Sequence, residues 1–203
     1  MKKNLSLIYI VLLCLSLPIV MYAQDDEKTQ TLLGGKKLVN TENLGIFITP
    51  SYGFTQMDGS SASLFNLRGG VSWNEKLSFG GYIATSLNQI NPESEKIQGI
   101  YMDYWSVGGF AEYTLHADKL FHVYFPVYIG YGEVGMDNDA GLGDATFFQI
   151  VPETLLEVNV HKNVRFNLGA GYRFEGDMEY RNFNQADLSG ITGYVGLNIG
   201  LLI

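Results

Sequence analysis

From Leu44 onward, apolar residues recur at every second position in eight separate segments. This constrains the fold more than any other feature, because a two-residue period is that of a β-strand and cannot form the stripe of a helix. In "NVRFNLGAGYRF", Val164, Phe166, Leu168, Ala170, Tyr172 and Phe174 share one face, and Arg165, Asn167, Gly169, Gly171 and Arg173 share the other. The closing "GITGYVGLNIGLLI" repeats the rhythm, with Ile191, Val195, Leu197, Ile199, Leu201 and Ile203 on one side. The remaining segments are "LGIFITPSYGFTQM", "ASLFNLRGGVSW", "KLSFGGYIATSLN", "GIYMDYWSVGGFAEYTLH", "KLFHVYFPVYIGYGEVG" and "ATFFQIVPETLLEVNV". The chain is therefore read as all-β.

Alternation alone leaves open which way the apolar face points. A soluble sandwich or barrel turns it inward and sends charges to water. A membrane barrel turns it to lipid and fills its centre with polar side chains. Here the polar faces carry glycine, serine and tyrosine and little lysine, whereas a water-facing surface is rich in charge. The segments are also long enough to span, which takes about 9–11 tilted residues. The connections alternate in length. "WNEK", "HADK" and "HKN" are tight; those around "MDGSS", "NQINPESEKIQ", "MDNDAGLGD" and "EGDMEYRNFNQAD" are longer. Short periplasmic turns and longer outer loops fit a closed antiparallel up-and-down transmembrane β-barrel of eight strands, with both chain ends on the periplasmic side.

The segment "MKKNLSLIYIVLLCLSLPIVMYAQ" has two lysines, an apolar run and Ala23 before Gln24, the pattern of a secretory signal over residues 1–23. Residues 24–43 then form a polar periplasmic lead, and residues 44–203 the barrel. Cys14, within the signal, is the only cysteine, so disulfide and thiol chemistry are excluded from the mature chain. Loss of Lys2 and Lys3 from the 13 basic residues leaves 11 against 21 acidic ones, a net charge of −10. Such a chain is a poor nucleic-acid partner, since phosphate attracts lysine and arginine.

The signal ending "YAQ", the strand rhythm over 44–203 and the closing "GYVGLNIGLLI" resemble the small eight-stranded outer-membrane proteins, of OmpA/OmpX-like architecture, and more narrowly the Bacteroidetes-type outer membrane beta-barrel proteins. The resemblance implies an outer-membrane location in a Gram-negative cell, contact with outer-membrane lipid, and recognition of the last strand by the barrel-assembly machinery. Ile203 stands where the family usually ends on an aromatic residue. The family shares no single activity.

On the lumen-facing side fall Arg68, Glu112, Glu153, Glu157, Arg165, Arg173 and Glu175. Buried charges need opposite partners, so these are expected to form an ion-pair network that fills a narrow barrel. Across "HKN", aligned lumen faces would set Asn159 opposite Asn163, Glu157 opposite Arg165 and Gln149 opposite Arg173. A Glu157–Arg165 contact follows. The competing reading of the same charges is a gated pore or ligand site. Catalysis at the outer rim needs a base beside a nucleophile. His116 and His161 sit in periplasmic turns and His122 starts a strand nearby, so no enzyme is expected. Asp137, Asp139 and Asp144 make an oxygen-rich loop, a weak cation candidate, but the EF-hand spacing fails at Leu142 and Phe148. A solvated acidic loop is the expected reading, with no metal and no cofactor. The sequence thus points to a structural, anchoring or surface-interacting barrel with a protein partner it does not specify. A small outer-membrane channel is the first alternative, and a secreted lipocalin-like carrier the second.

Overall fold

The computed structural model describes residues 44–94, 101–137, 143–161 and 163–202. The signal and lead segments lie outside the described residues. The strands are β1 (Leu44–Met57), β2 (Ser60–Trp73), β3 (Leu77–Ser86), β4 (Tyr101–Leu115), β5 (Phe121–Asp137), β6 (Asp144–His161) and β7 (Val164–Glu175). Then come the short β8 (Glu179–Tyr180) and β9 (Phe183–Asn184), a one-turn helix α1 (Gln185–Leu188) and β10 (Gly190–Leu202). Strands β1–β7 and β10 close an eight-stranded antiparallel barrel, in which β10 pairs with both β7 and β1. β8 and β9 form a separate hairpin in the last outer loop.

Turn chemistry explains where the strands reverse. Asp58 and Gly59 take φ of 45° and 73°, and Met57 pairs with Ser60. This is the two-residue type I′ turn that matches strand twist. The first outer connection is therefore tighter than the longer link expected around "MDGSS". At the opposite end, Asn74 and Glu75 both take positive φ, and Lys76 N donates to Trp73 O at 3.1 Å. Glycines let neighbouring strands approach. A Cβ on Gly80 would run into the Gly69 carbonyl, and one on Gly108 into that of Ile129.

The apolar faces point out of the barrel. Ile191 is 68% exposed, Phe54 59% and Leu168 56%. A lipocalin-like carrier would bury these faces around a cavity; here only lipid can cover them. Two aromatic girdles bound the band. Trp73, Tyr113, Phe121 and Phe166 lie toward the short turns, and Phe54, Phe65, Trp105, Tyr131, Phe148 and Phe174 toward the long loops. Neighbouring rings meet in the outer girdle, with centroids 5.7 Å apart for Tyr131–Phe148 and 4.5 Å for Tyr172–Phe174. The steps from Phe121 to Tyr131 rise about 25 Å at a tilt near 40°, the height of an outer-membrane apolar band.

Beyond the outer girdle the strands continue and their polarity reverses. Outward positions become Gln56, Ser61, Ser63, Asp103, Glu133 and Thr146. Inward positions become Met57, Leu64, Met102, Val134, Met136 and Phe147. Ile90 from the β3–β4 connection, with Met178 and Leu188 from the last loop, completes this core; Met57, Ile90, Met102 and Leu188 are 0% exposed. Above the membrane the protein thus has an ordinary hydrophobic core, which we call the crown. Its loops dock on the first turn: Asp58 N donates to Asp187 O at 2.6 Å, and Ser94 N and Oγ each donate to Asp58 Oδ2 at 2.8 Å.

Candidate functional site: the charged lumen

Inside the band, three layers of polar side chains stack along the barrel. The seven charged residues assigned to the lumen from alternation are all buried, at 2–9% exposure.

The periplasmic layer centres on Glu157. Its Oε1 faces His122 Nε2 at 2.9 Å and accepts from Arg165 Nη1 at 3.4 Å; its Oε2 accepts from Asn198 Nδ2 at 3.4 Å. Arg165 Nη2 also donates to Glu75 Oε2 at 3.1 Å, so the β2–β3 turn folds under the barrel mouth. The other ring nitrogen of His122 lies 3.3 Å from Lys119 O, and Asn159 Nδ2 donates to the same carbonyl at 2.9 Å.

The register differs from that read off "HKN". Asn159 pairs with Arg165, Glu157 with Asn167 and Gln149 with Glu175. The hairpin closes one pair nearer its tip, with His161 opposite Val164 and an irregularity between Asn159 and His161. A two-residue turn plus a bulge replaces the three-residue turn, and the net slip is two residues. An even slip keeps every side chain on its face. Glu157 and Arg165 therefore still meet, diagonally rather than directly opposite.

In the middle layer, Arg68 on β2 donates through Nη1 to Glu112 on β4 and to the Tyr128 hydroxyl at 3.3 Å. Its guanidinium lies 4.9 Å from the Tyr124 ring centroid and 5.5 Å from that of Phe110. Such an aromatic cage offsets part of the cost of dehydrating the cation. In the upper layer, Gln149 bridges two tyrosines. It accepts from the Tyr104 hydroxyl at 2.7 Å and donates to the Tyr82 oxygen at 2.6 Å. Arg173 Nη2 reaches out of the band into the crown, donating to Leu188 O at 2.7 Å and Thr55 Oγ1 at 3.1 Å. Glu175 is buried beside it, and its backbone N donates to Ser189 Oγ at 3.0 Å.

Between the middle and upper layers lies a chamber of about 30 Å³, lined by Arg68, Glu153, Arg173 and several tyrosines. The tyrosines were not singled out from the sequence as site residues, and Gln149, expected opposite Arg173, instead ties two of them together. Their signal was their placement on the polar faces, where they read as filler.

No group of three metal-ligating side chains forms among the described residues. Of the acidic-loop candidates, Asp139 and the side chain of Asp137 lie outside the described residues, and Asp144 is exposed. His116 is exposed in a periplasmic turn, and His122 is committed to Glu157.

No family model and no curated protein matches the chain. Among solved structures, it is similar to Neisserial surface protein A (NspA), at 14% identity and a TM-score of 0.54, covering 79% of this chain and 97% of that one. It is also similar to the outer membrane protein OprG from Pseudomonas aeruginosa, at 10% identity and a TM-score of 0.54, covering 81% of this chain and all of the other. At such identities the likeness is one of fold: the chain is a small, closed, eight-stranded barrel of the outer-membrane type.

Proposed function

We propose that the chain is a non-conducting outer-membrane barrel whose task is to hold the crown rigidly at the cell surface, where it meets a partner. The observation that carries this reading is closure at both ends. The crown core fills the outer mouth, and the layer around Glu157 fills the inner one. What remains between, among the described residues, is a chamber of about 30 Å³, room for roughly two waters. The crown also has what a recognition surface needs. Ser94 of the β3–β4 connection is tied to the first turn through Asp58, and the last loop to the barrel wall through Arg173, so these described parts lose little order on binding. The absence of a histidine base from the described outer rim favours binding over catalysis. Kinship with the Bacteroidetes-type barrels is consistent with this reading and adds no specific partner.

Planar-bilayer recording on the purified mature protein tests it. Only baseline current is expected, together with a heat-modifiable band in the outer-membrane fraction. Steady unitary conductance would refute the closed-barrel reading.

A further inference from the structure

Arg173 and Glu175 are buried side by side, and each is left incompletely satisfied. They lie two residues apart on the inward face of β7, about 7 Å between Cα atoms. Glu175 is only 8% exposed, yet neither oxygen of its carboxylate has a hydrogen-bond partner among the described residues. Arg173 donates through Nη2 to Leu188 O at 2.7 Å, Thr55 Oγ1 at 3.1 Å and Gln56 O at 3.4 Å. Its Nε and Nη1 are buried and have no partner among the described residues.

The bonds from Nη2 close a gap in the wall. The ladder between β1 and β10 ends at the pair Thr55–Thr192. Just above it, one nitrogen of Arg173 joins the end of β1 to α1, whose Leu188 is fully buried in the crown core. A buried carboxylate needs a counter-charge, hydrogen-bond donors or a proton. As arranged here, Glu175 has neither of the first two, which suits the neutral acid. The cation that faces it is Arg173, and that guanidinium is pinned by only one of its nitrogens. Turning to an ionised Glu175 would exchange bonds to neutral oxygens for charge-assisted ones, which are roughly twice as strong.

We propose that Arg173 is a proton-controlled latch on the last outer loop. It holds the Leu188 carbonyl while Glu175 is protonated. Once that proton is lost to solvent, Arg173 turns to the Glu175 carboxylate and the loop is released. The loop is therefore latched at low pH and freed as pH rises. The other titratable groups facing Glu175 are the phenols of Tyr82 on β3 and Tyr104 on β4. β6 and the last loop bring the uncharged Gln149 and Ser189 against it. The latch goes beyond the closed-barrel reading and does not depend on it.

The mature chain has no cysteine, so Ala186→Cys places a single thiol on the exposed side of α1 for a nitroxide label. Spectra of the detergent-folded protein are taken from about pH 5 to about pH 9, below the ordinary tyrosine range. An immobilised component is expected at the acid end and is expected to be lost, reversibly, toward the alkaline end. Glu175→Gln cannot ionise at that position and is expected to keep the component throughout; Glu175→Met serves the same purpose should that variant fail to fold. Arg173→Met is expected to lack it at every pH. The three histidines titrate in the same range but are unchanged in these variants. A wild-type spectrum that does not respond to pH, a response of opposite sense, a transition that persists in the Glu175 variants, or an immobilised loop in Arg173→Met would each overturn the proposal. None of these outcomes bears on conductance, so the closed-barrel reading stands or falls separately.

Discussion

The membrane band and the crown are built from the same strands with opposite solvent logic. In the band, Phe121, Phe125, Val127 and Ile129 of β5 face out, while His122, Tyr124 and Tyr128 face in. A few residues on, Glu133 faces out, where it accepts from Trp105 Nε1 at 3.0 Å, and Val134 and Met136 face in. Neither the backbone nor the parity changes; only the medium does. Lipid can satisfy no polar group, so polar side chains in the band collect in the lumen and must find partners there. Water satisfies them freely, so in the crown they leave the interior and the apolar residues take it. Band stability therefore rests on matched pairs, and crown stability on packing.

Breaking a pair in the band should cost the most. Arg68→Met leaves Glu112 buried without its cation and is expected to destabilise the barrel by about 3–5 kcal/mol. Arg68→Met with Glu112→Leu should recover most of that loss. Urea titration of the folded gel band measures both, and an equal loss in the single and double variants would deny that matching is what matters. In the crown, Met102→Ala removes a fully buried side chain, and a loss of about 2–5 kcal/mol is expected from the cavity left behind. If the crown is a core of its own, protease should then cut the outer loops before the barrel melts. The outward face of β5 gives the sharpest contrast. Val127→Arg, near the middle of the band, should cost about 2–4 kcal/mol, and Glu133→Arg, just beyond the girdle, about 0–1. Equal costs would erase the boundary drawn between the two regions. Smallest of all, Asp58→Asn weakens the two bonds from Ser94 and should cost about 0.5–1 kcal/mol. Its readout is faster proteolysis of the β3–β4 connection at an unchanged barrel midpoint.

The eight strands were legible because lipid enforces alternation over their whole length. The inward set from Arg68 to Glu175 was legible for the same reason, since parity alone assigns a face. The partners within that set were not. Arg68 and Glu112 belong to strands separated by β3, and their contact crosses the lumen, so no hairpin register specifies it. The slip at "HKN" depended on a bulge beside the turn, which no side-chain pattern marks. The crown was hidden by its own regularity: alternation continues past the girdle with the faces exchanged, and a two-residue period cannot report that exchange. One signal was there to be read. Met57, Met102, Met136 and Met178, every methionine beyond the signal segment, fall at strand ends or in a loop on the outer side, and all four enter the crown core. Flexible thioether chains suit a core assembled from several loop ends.

The exchange of faces also acts as a waterline. Were the barrel to ride lower by two residues, Glu133 and Asp103 would be dragged into hydrocarbon; were it to ride higher, Phe54, Tyr131 and Phe148 would be stranded in the aqueous phase. Five of the eight strands carry such a mark, so the hull settles at a single draught and the same loops stay above the surface whichever lipids surround it.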